Sequence, residues 1–366
     1  NNDMSYRVVQ WSTGNVGLLS LRSLIGHPEF ELVGLHAHSP DKIGKDAGEI
    51  AGVSEKTGII ATNDADALLA LQPDAVVYTA NGEFRAPDAL ADMVKILSAG
   101  VNVVGTSLIY LIYPPAADPA LVEPLEKACK EGNSTLFVNG IDPGFSGDVL
   151  PLAALQISDR VKEIRCQEIA DYSTYADPDF TGFSFGFGKP ESFTPMIAMP
   201  GVLTGSWGGM VQMAAKILGV EIEETREVFE RYFADHDFET DMMPIIKGEC
   251  SAVRFQVQGI VDGEPLIVAE HVNRLGLDEA PDWPKPPHGR RGVHRCIIEG
   301  VPHVQIECFS TGEDGDHNNG GVHASAMRMI NAIPAVCGHA PGIVTTLDLP
   351  YTPTRRLAAA GLLTDA

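Results

Sequence analysis

The chain has 366 residues, of which 44% are hydrophobic, and this is enough for one large domain or two ordinary ones. Its 49 acidic residues outnumber the 26 Lys and Arg residues, and the formal net charge is −23. This balance argues against nucleic acid as a partner, because a phosphate backbone requires basic surface.

Cysteine spacing and hydropathy indicate the expected compartment of the protein. The six cysteines never form a Cys-x-x-Cys pair and no secretory leader is recognised, so we expect reduced thiols and a cytoplasmic location. The least charged long stretch, residues 195–215, is interrupted by prolines and glycines. It lacks the roughly 20 continuous apolar residues of a membrane span, so we expect no membrane partner.

Strand and helix signals alternate in the first half of the chain. We predict strands at residues 8–9, 31–36, 58–61, 74–79, 101–105 and 135–138, and helices at 65–71, 86–99 and 119–131. Repeated β-α-β alternation predicts an α/β fold, a Rossmann-type doubly wound parallel sheet with helices on both faces.

The pattern changes near Asp148. We predict helices at residues 149–157, 210–218, 222–233 and 324–333, and strands at 161–170, 251–261, 265–273, 293–299 and 303–309. Residues 176–209, rich in Gly, Phe, Ser and Pro, are expected to be irregular, and Pro334 is expected to end the last helix. Strands at this spacing predict a second α+β domain built on a mixed or antiparallel sheet.

The stretch 7–17, Arg-Val-Val-Gln-Trp-Ser-Thr-Gly-Asn-Val-Gly, is the most informative in the chain. A short apolar strand leads into a glycine turn and a helix start, the arrangement that binds a dinucleotide pyrophosphate. Ser12 stands where the first glycine of G-x-G-x-x-G is expected. The predicted phosphate-binding residues are Ser12, Thr13, Gly14, Asn15, Val16 and Gly17.

Polar residues follow three further strands, at the sheet edge where ligands of parallel sheets bind. A hydroxyl and a cation after residues 31–36, rather than Asp or Glu, favour the 2′-phosphate of NADP, with NAD as the alternative. Hydroxyls after residues 101–105 are expected near the nicotinamide. The predicted cofactor contacts at these ends are His38, Ser39 and Lys42, then Thr79, Ala80 and Asn81, then Thr106 and Ser107.

Residues 139–145 (Asn-Gly-Ile-Asp-Pro-Gly-Phe) and residues 11–17 together resemble the dihydrodipicolinate reductase-like superfamily. Within it they are most similar to the branch of 2,4-diaminopentanoate dehydrogenase and native amine dehydrogenases, and residues 331–350 are similar to the same branch. The resemblance implies reduction of C=N bonds with NAD(P)H, and amination of a small ketone or aldehyde substrate. It also implies that Asn139, Asp142, Pro143 and Gly144 contact the cofactor.

For the domains, the resemblance implies a dinucleotide-binding domain of residues 1–148 completed by residues 318–366. Residues 149–317 would form a substrate and dimerisation domain, and the protein would be a homodimer through the sheet of that domain.

The chain departs from this branch at three places. Ser12 replaces a glycine, Asp142 replaces an asparagine, and residues 106–111 lack the Glu that the resemblance implies for activating ammonia. The missing carboxylate favours an alternative, a carbonyl or imine reductase without ammonia activation. A non-catalytic NADP-binding sensor is the alternative from another class.

Hydride transfer requires a group that balances the charge developing on the oxygen or nitrogen of the substrate. Tyr172 and Tyr175 are the candidate donors, with Tyr110 as a third, and a cationic nicotinamide ring nearby would lower the pKa of such a tyrosine. Asp171 and Asp142 are candidates for binding an ammonium or iminium group, and Glu168 ranks below Asp171.

Aromatic residues and glycines alternate in residues 179–188, which predicts either a mobile lid over an apolar pocket or a loop packed on the sheet or at a subunit interface. The predicted pocket residues are Leu108, Tyr110, Phe145, Phe183 and Trp207. The histidines between residues 288 and 323 fit no zinc-binding spacing, so no metal is expected.

Overall fold

A computed structural model of the chain describes residues 5–358. The chain forms two compact units. The first unit comprises Asn1–Gly140 and Val322–Ala366, and the second comprises Ile141–Gly321.

Strands and helices alternate along the first part of the chain, through residue 140. They are β1 (Tyr6–Trp11), α1 (Asn15–Leu24), β2 (Phe30–His36), α2 (Ala47–Ala51), α3 (Ala65–Ala70), β3 (Ala75–Tyr78), α4 (Ala86–Ser98), β4 (Asn102–Gly105), α5 (Pro119–Gly132) and β5 (Thr135–Val138). Short 3₁₀ helices span Ile109–Ile112 and Pro114–Ala116.

Long strands dominate the remainder of the chain. The elements are α6 (Val149–Leu155), β6 (Arg160–Asp171), α7 (Pro178–Phe185), α8 (Val202–Leu218), β7 (Glu224–Phe233), β8 (Phe238–Glu239), β9 (Pro244–Ile245), β10 (Cys250–Val261), β11 (Glu264–Arg274), β12 (Gly292–Val301), β13 (Val304–Cys308), α9 (His317–Cys337) and β14 (Gly342–Val344). An irregular turn spans Ile141–Phe145, and a 3₁₀ helix spans Met196–Ala198.

The first unit contains a six-stranded parallel sheet in the order β14-β5-β4-β3-β1-β2. The strand order reverses between β1 and β3, and ligands of doubly wound sheets bind at the carboxyl ends of the strands at such a reversal. One face packs against α9, where Met329, Ile330 and Ile333 are fully buried at helical spacing. The predicted parallel sheet is confirmed.

The second unit contains a six-stranded mixed sheet in the order β13-β12-β6-β11-β10-β7. The central pair β6–β11 is parallel, and the other neighbours are antiparallel. Helix α8 packs against β10 and β11, and α6 packs against β12. This confirms the predicted second sheet and brings the polar ends of β6 and β11 side by side.

Two predicted elements were wrong. Residues 58–61 form isolated bridges instead of a strand. Residues 222–233 were predicted to be a helix, but Glu224–Phe233 is the edge strand β7, paired with β10 along its length. Charged and apolar residues come in pairs there, a spacing of four that mimics a helix, and pairing with the partner strand β10 outweighs that local signal.

The last helix was predicted too short at both ends. Helix α9 begins at His317 and continues through Pro334 to Cys337. Gly320 lies inside it because a side chain there would come within 2.5 Å of the Thr311 backbone, so close packing explains the glycine. Similarly, α8 begins at Val202 instead of residue 210, and α7 occupies most of the stretch predicted to be an irregular lid.

Candidate functional site

The turn between β1 and α1 has the geometry of a dinucleotide-binding loop. Ser12 adopts a φ of 82°, a left-handed conformation that glycine adopts at little cost. At Gly17 a side chain would collide with the Ser12 carbonyl oxygen and lie 2.7 Å from Thr79 Oγ1. Gly17 therefore allows close packing of helix and strands, and Ser12 occupies a backbone position where the sequence motif expects glycine.

The N-terminus of α1 fits an anionic ligand. Its N-cap residue, Gly14, supplies no side-chain cap, and the first helical turn contains no acidic residue. A Cβ at Gly14 would meet no atom within 4 Å, so the backbone borders open space. Uncapped amides and the helix dipole favour phosphate there, and the residues present fit the pyrophosphate of a nicotinamide dinucleotide.

Lys42 lies against the same turn. Its Nζ donates hydrogen bonds to the Thr13 carbonyl oxygen at 3.1 Å and to Thr13 Oγ1 at 3.0 Å. At the tip of β2, His36 stacks on Trp11 with ring centroids 4.0 Å apart. Burial lowers the pKa of His36 to about 4, so its ring is neutral near pH 7. Of these two residues, only Lys42 therefore supplies a positive charge beside the turn between β1 and α1.

The predicted residues after β3 and β4 make mostly internal contacts. Thr79 Oγ1 donates to the Trp11 carbonyl oxygen at 3.0 Å, and Asn81 Oδ1 accepts from the Glu83 and Phe84 amides. The Ser107 hydroxyl donates to the carbonyl oxygen of Ala80. These bonds shape the sheet edge, and the roles of these residues and of Thr106 in binding cofactor stay predictions.

The two glycines of the turn make a matched test. Gly17→Ala should lower the melting temperature and weaken dinucleotide binding, because the new methyl group overlaps the Ser12 carbonyl oxygen. Gly14→Ala should keep the melting temperature, since its φ is −73° and its Cβ meets nothing within 4 Å. Thermal unfolding and NADPH titration of both variants check this, and a Gly17→Ala protein as stable as the parent would contradict it.

A buried polar cluster lies on the face of the second sheet that packs against α8. Asp142 Oδ1 accepts hydrogen bonds from Trp207 Nε1 and His271 Nε2, each at 2.9 Å. Asp142 Oδ2 accepts from the Ser146 hydroxyl at 2.8 Å. The Asp142 side chain is 6% exposed and that of His271 is 5% exposed.

Glu168, on β6, is the second carboxylate of this cluster. Its Oε2 accepts from the Tyr172 hydroxyl at 2.8 Å and from Asn273 Nδ2 at 2.9 Å, and lies 3.0 Å from His271 Nδ1. Its Oε1 lies 3.3 Å from His294 Nε2. We call Asp142, Glu168, His271 and Asn273 the acidic cluster.

The charges within the acidic cluster are strongly coupled. Burial alone would lower the pKa of His271, but the carboxylates of Asp142 and Glu168 raise it to about 10. Burial alone would raise the pKa of Glu168, but His271 and His294 hold it well below its usual range. At neutral pH His271 is thus an imidazolium between two carboxylates.

The acidic cluster retains capacity for one more cation. Within the acidic cluster the carboxylates of Asp142 and Glu168 face the single imidazolium of His271, and His294 contacts Glu168 Oε1 from outside the cluster at 3.3 Å. Asn273 is fully buried, and its Oδ1 has no hydrogen-bond donor among the described residues. A buried acceptor without a donor, next to surplus negative charge, fits a cationic N–H donor such as ammonium.

Aromatic rings surround the acidic cluster. Trp207 lies 4.8 Å from His271 by ring centroids, Phe255 stacks on His271 at 4.6 Å, and Tyr172 stacks on Tyr175 at 5.2 Å. Burial and the adjacent Glu168 carboxylate raise the pKa of Tyr172 well above its ordinary value, and the expected lowering by a bound nicotinamide ring stays a prediction. Burial also raises the pKa of Tyr110.

Asp171 is occupied by other contacts. Its carboxylate pairs with Arg291 at 2.7 Å and accepts from the amides of Ser173 and Gly276 at 2.8 and 3.0 Å. These contacts hold the end of β6 to the adjoining loops. A role of Asp171 in binding amine stays a prediction, and its contacts favour a structural role.

The remaining predicted residues are dispersed. In the first unit Leu108 is buried and Asn139 contacts Arg328 and Thr346. In the second unit Pro143, Gly144 and Phe145 belong to the turn that carries Asp142, and Phe183 is 45% exposed.

Sequence reasoning missed His271 and Asn273. Both lie on β11, within a strand that is otherwise mostly apolar, and polar residues buried in such a strand are a usable signal. Among residues 5–358, no group of three or more His, Cys, Asp or Glu side chains has an arrangement that could hold a metal ion.

A doubly wound parallel sheet with a glycine turn before its first helix, joined in one chain to a mixed-sheet unit, is the architecture of Rossmann-type oxidoreductases. Residues 145–360 match the family model of the 2,4-diaminopentanoate dehydrogenase C-terminal domain. The chain is also 42% identical over 346 residues to an amine dehydrogenase of Streptomyces virginiae, covering 94% of this chain and 96% of that relative.

The chain belongs to the family of 2,4-diaminopentanoate dehydrogenase and amine dehydrogenases, which confirms the resemblance, and it is an oxidoreductase enzyme. A 2,4-diaminopentanoate dehydrogenase of Acetoanaerobium sticklandii is 24% identical over 71% of this chain and 69% of its own length. The structure of an amine dehydrogenase from Mycobacterium smegmatis has the same fold, with a TM-score of 0.76 at 19% identity over 96% of this chain and 97% of that one.

Proposed function

We propose that this protein is an NADP-preferring amine dehydrogenase that converts a small, largely apolar ketone or aldehyde and ammonia into an amine. The observation that carries the proposal is the acidic cluster, in which two buried carboxylates face one imidazolium and a buried amide oxygen lacks a donor. The 42% identity to an amine dehydrogenase supports the same activity.

The charge on the substrate's nitrogen or oxygen differs in sign between C=N and C=O reduction. A carbonyl compound and an ammonium ion condense with loss of one water to give a cationic iminium, and hydride addition to the iminium carbon yields a neutral amine. Hydride addition to a ketone instead places negative charge on oxygen. Surplus carboxylate charge stabilises the iminium and opposes the alkoxide, so the acidic cluster favours amination over carbonyl reduction.

The residues of the acidic cluster have separate roles in this proposal. Glu168 and Asn273 Oδ1 would accept N–H groups of ammonia and of the iminium. Because the pKa of Glu168 is held well below its usual range, it is a poor proton acceptor and acts as a fixed charge. His271 holds both carboxylates in place, and the aromatic rings exclude water and favour apolar substrates.

The first unit would bind the dinucleotide, and the bound nicotinamide supplies the hydride. Ser12–Gly17 would bind the pyrophosphate, with Ser39 and Lys42 at the adenosine 2′-phosphate. The second unit would be the substrate domain. This assignment moves Asp142 from the cofactor-binding set to the amine-binding set.

Lys42→Ala tests the choice of NADP over NAD. Loss of a charge-assisted hydrogen bond to phosphate should weaken NADPH binding about tenfold or more, with NADH binding unchanged. Lys45→Ala, which removes a half-exposed lysine paired with Glu49, is the control. A fluorescence titration without substrate measures the dissociation constants of NADPH and NADH. Equal losses for NADPH and NADH would show that Lys42 only supports Thr13, and a parent protein that prefers NADH would overturn the cofactor proposal.

A second candidate is a carbonyl or imine reductase that does not activate ammonia. Residues 106–112, which include the 3₁₀ helix Ile109–Ile112, carry no carboxylate, and this observation favours that candidate. NADPH oxidation with cyclohexanone, with and without ammonium, separates the two. We expect oxidation that depends on ammonium, whereas equal rates without it would support the reductase.

The assembly and location of the protein stay predictions. The sheet face opposite the acidic cluster carries charged residues including Arg165, Arg254 and Glu270, which pair with one another. We propose this face for the expected homodimer, and a molar mass from light scattering tests it.

No helix within residues 5–358 combines the length and apolarity that crossing a membrane requires.

A further inference from the structure

The segment Gly186-Phe187-Gly188 holds one aromatic ring in a constrained position. Gly186 ends α7 with a φ of 88°, and Gly188 follows with a φ of 71°. Both are left-handed conformations that other residues adopt only with strain. Phe187 between them is 1% exposed. The backbone therefore fixes the direction in which this buried ring points.

The Phe187 ring faces the aromatic wall of the acidic cluster. It meets Tyr172 edge-on, with ring centroids 6.3 Å apart and an interplanar angle of 66°. The hydroxyl of Tyr172 donates to Glu168 at 2.8 Å. Phe185 lies 5.8 Å from Phe187 and continues the wall toward Phe255. Phe187 is therefore linked to the Glu168 carboxylate through the Tyr172 side chain.

Phe187 also lines a cavity of about 420 Å³ within the second unit. Phe183, Phe193, Met243 and Ile246 also line the cavity, and Phe183 and Ile246 expose 45% and 59% of their surface. Large apolar side chains exposed around a concavity are a feature of sites for apolar ligands. The cavity has the size of a small organic group.

We propose that Phe187 determines the upper size of the substrate by closing the amine site toward this cavity. When a smaller side chain replaces Phe187, the cavity receives the aryl or alkyl tail of larger ketones. This inference rests on the proposed amine dehydrogenase activity and specifies its substrate class. The parent enzyme then accepts compact ketones and rejects those with a bulky second substituent. The Gly/Phe segment is a size gate instead of a mobile lid.

Two ketones of different length test the gate. With NADPH and ammonium, kcat/KM is measured for cyclohexanone and for 4-phenylcyclohexanone in the parent enzyme, Phe187→Ala and Phe187→Leu. One apolar group in a pocket changes specificity by about 10–200-fold. Phe187→Ala should therefore shift the ratio of the two kcat/KM values toward 4-phenylcyclohexanone by at least about tenfold. Phe187→Leu, which keeps the core filled, should shift it in the same direction by less.

Phe193→Ala is the matched control, because Phe193 lines the same cavity and its ring lies 5.8 Å from the ammonium of Lys189. It should leave the ratio unchanged. An unchanged ratio in both Phe187 variants, or an equal shift in Phe193→Ala, would overturn the proposal.

A binding measurement separates this inference from the proposed function. Calorimetric titration of the NADP-loaded protein with cyclohexylamine and 4-phenylcyclohexylamine requires no turnover. Phe187→Ala should gain affinity for the larger amine by about tenfold, with cyclohexylamine unchanged. If no ketone is aminated but this gain appears, the proposed reaction fails and the gate stands. If ketones are aminated but the gain is absent, the gate fails alone.

Discussion

Glu168→Gln is expected to lower kcat/KM for ammonium-dependent reduction of cyclohexanone by about 10²–10³-fold, the usual effect of removing one preorganised group that stabilises transition-state charge. The amide keeps the size of the side chain but removes the negative charge that faces the iminium. The loss should include a higher KM for ammonium. Because the Glu168 carboxylate also helps to raise the pKa of His271, the alkaline limb of the pH profile should move to lower pH in the variant. Steady-state kinetics between pH 7 and 10 measure all three.

Glu163→Gln on the same strand is the control for this substitution. Glu163 lies on the opposite face of β6 and pairs with Arg165 at 2.8 Å, with 24% of its side chain exposed. Replacing Glu163 should change kcat/KM by less than about threefold relative to the parent enzyme, since such partly exposed ion pairs contribute little. Full activity in Glu168→Gln, or equal losses in both variants, would rule out the acidic cluster as the amine site.

His271→Asn is expected to be the most destabilising of these substitutions. Removing the imidazolium leaves two buried carboxylates without their cation, and breaking a buried ion pair in this way costs about 3–5 kcal/mol. The free energy of unfolding at pH 7, from urea denaturation, measures the loss. His303→Asn removes a half-exposed histidine paired with Glu299 and should cost little.

The pH dependence of stability tests the charge on His271 separately. Its pKa rises from 6.5 in the unfolded chain to about 10 in the folded protein, so the folded state binds the extra proton between these values. The contribution is complete below pH 6.5 and is lost as the pH rises through 10, with a slope of at most about 1.4 kcal/mol per pH unit. His271→Asn should flatten this decline. A parent protein with constant stability from pH 6.5 to 10 would contradict the assignment.

The parallel-sheet half of the fold could be predicted from local signals. Apolar strands, glycine turns and capped helices each leave a short-range pattern, and Lys42 lies beside Thr13, near the predicted phosphate-binding turn. Ser12 adopts the positive φ that favours glycine at this position of the motif, a conformation that no sequence pattern reveals. Strand β7 and the length of α9 depend on partners distant in the chain, so local propensity alone gave the wrong element and the wrong ends.

The acidic cluster could be predicted only in part. A motif indicates Asp142, whereas Glu168 ranks below Asp171 because its position inside a predicted strand leaves open whether it is buried or exposed at an edge. Arg291 neutralises Asp171, whereas Glu168 meets His271 across the parallel pairing of β6 and β11. That pairing joins residues more than a hundred positions apart, and only tertiary structure establishes it.

Isotope-labelled product analysis tests the central claim most directly. The protein is incubated with cyclohexanone, ¹⁵N-ammonium and NADPH, and the products are identified by mass spectrometry. The account predicts ¹⁵N-cyclohexylamine as the main product, with little cyclohexanol. Cyclohexanol as the main product, formed at the same rate without ammonium, would contradict it.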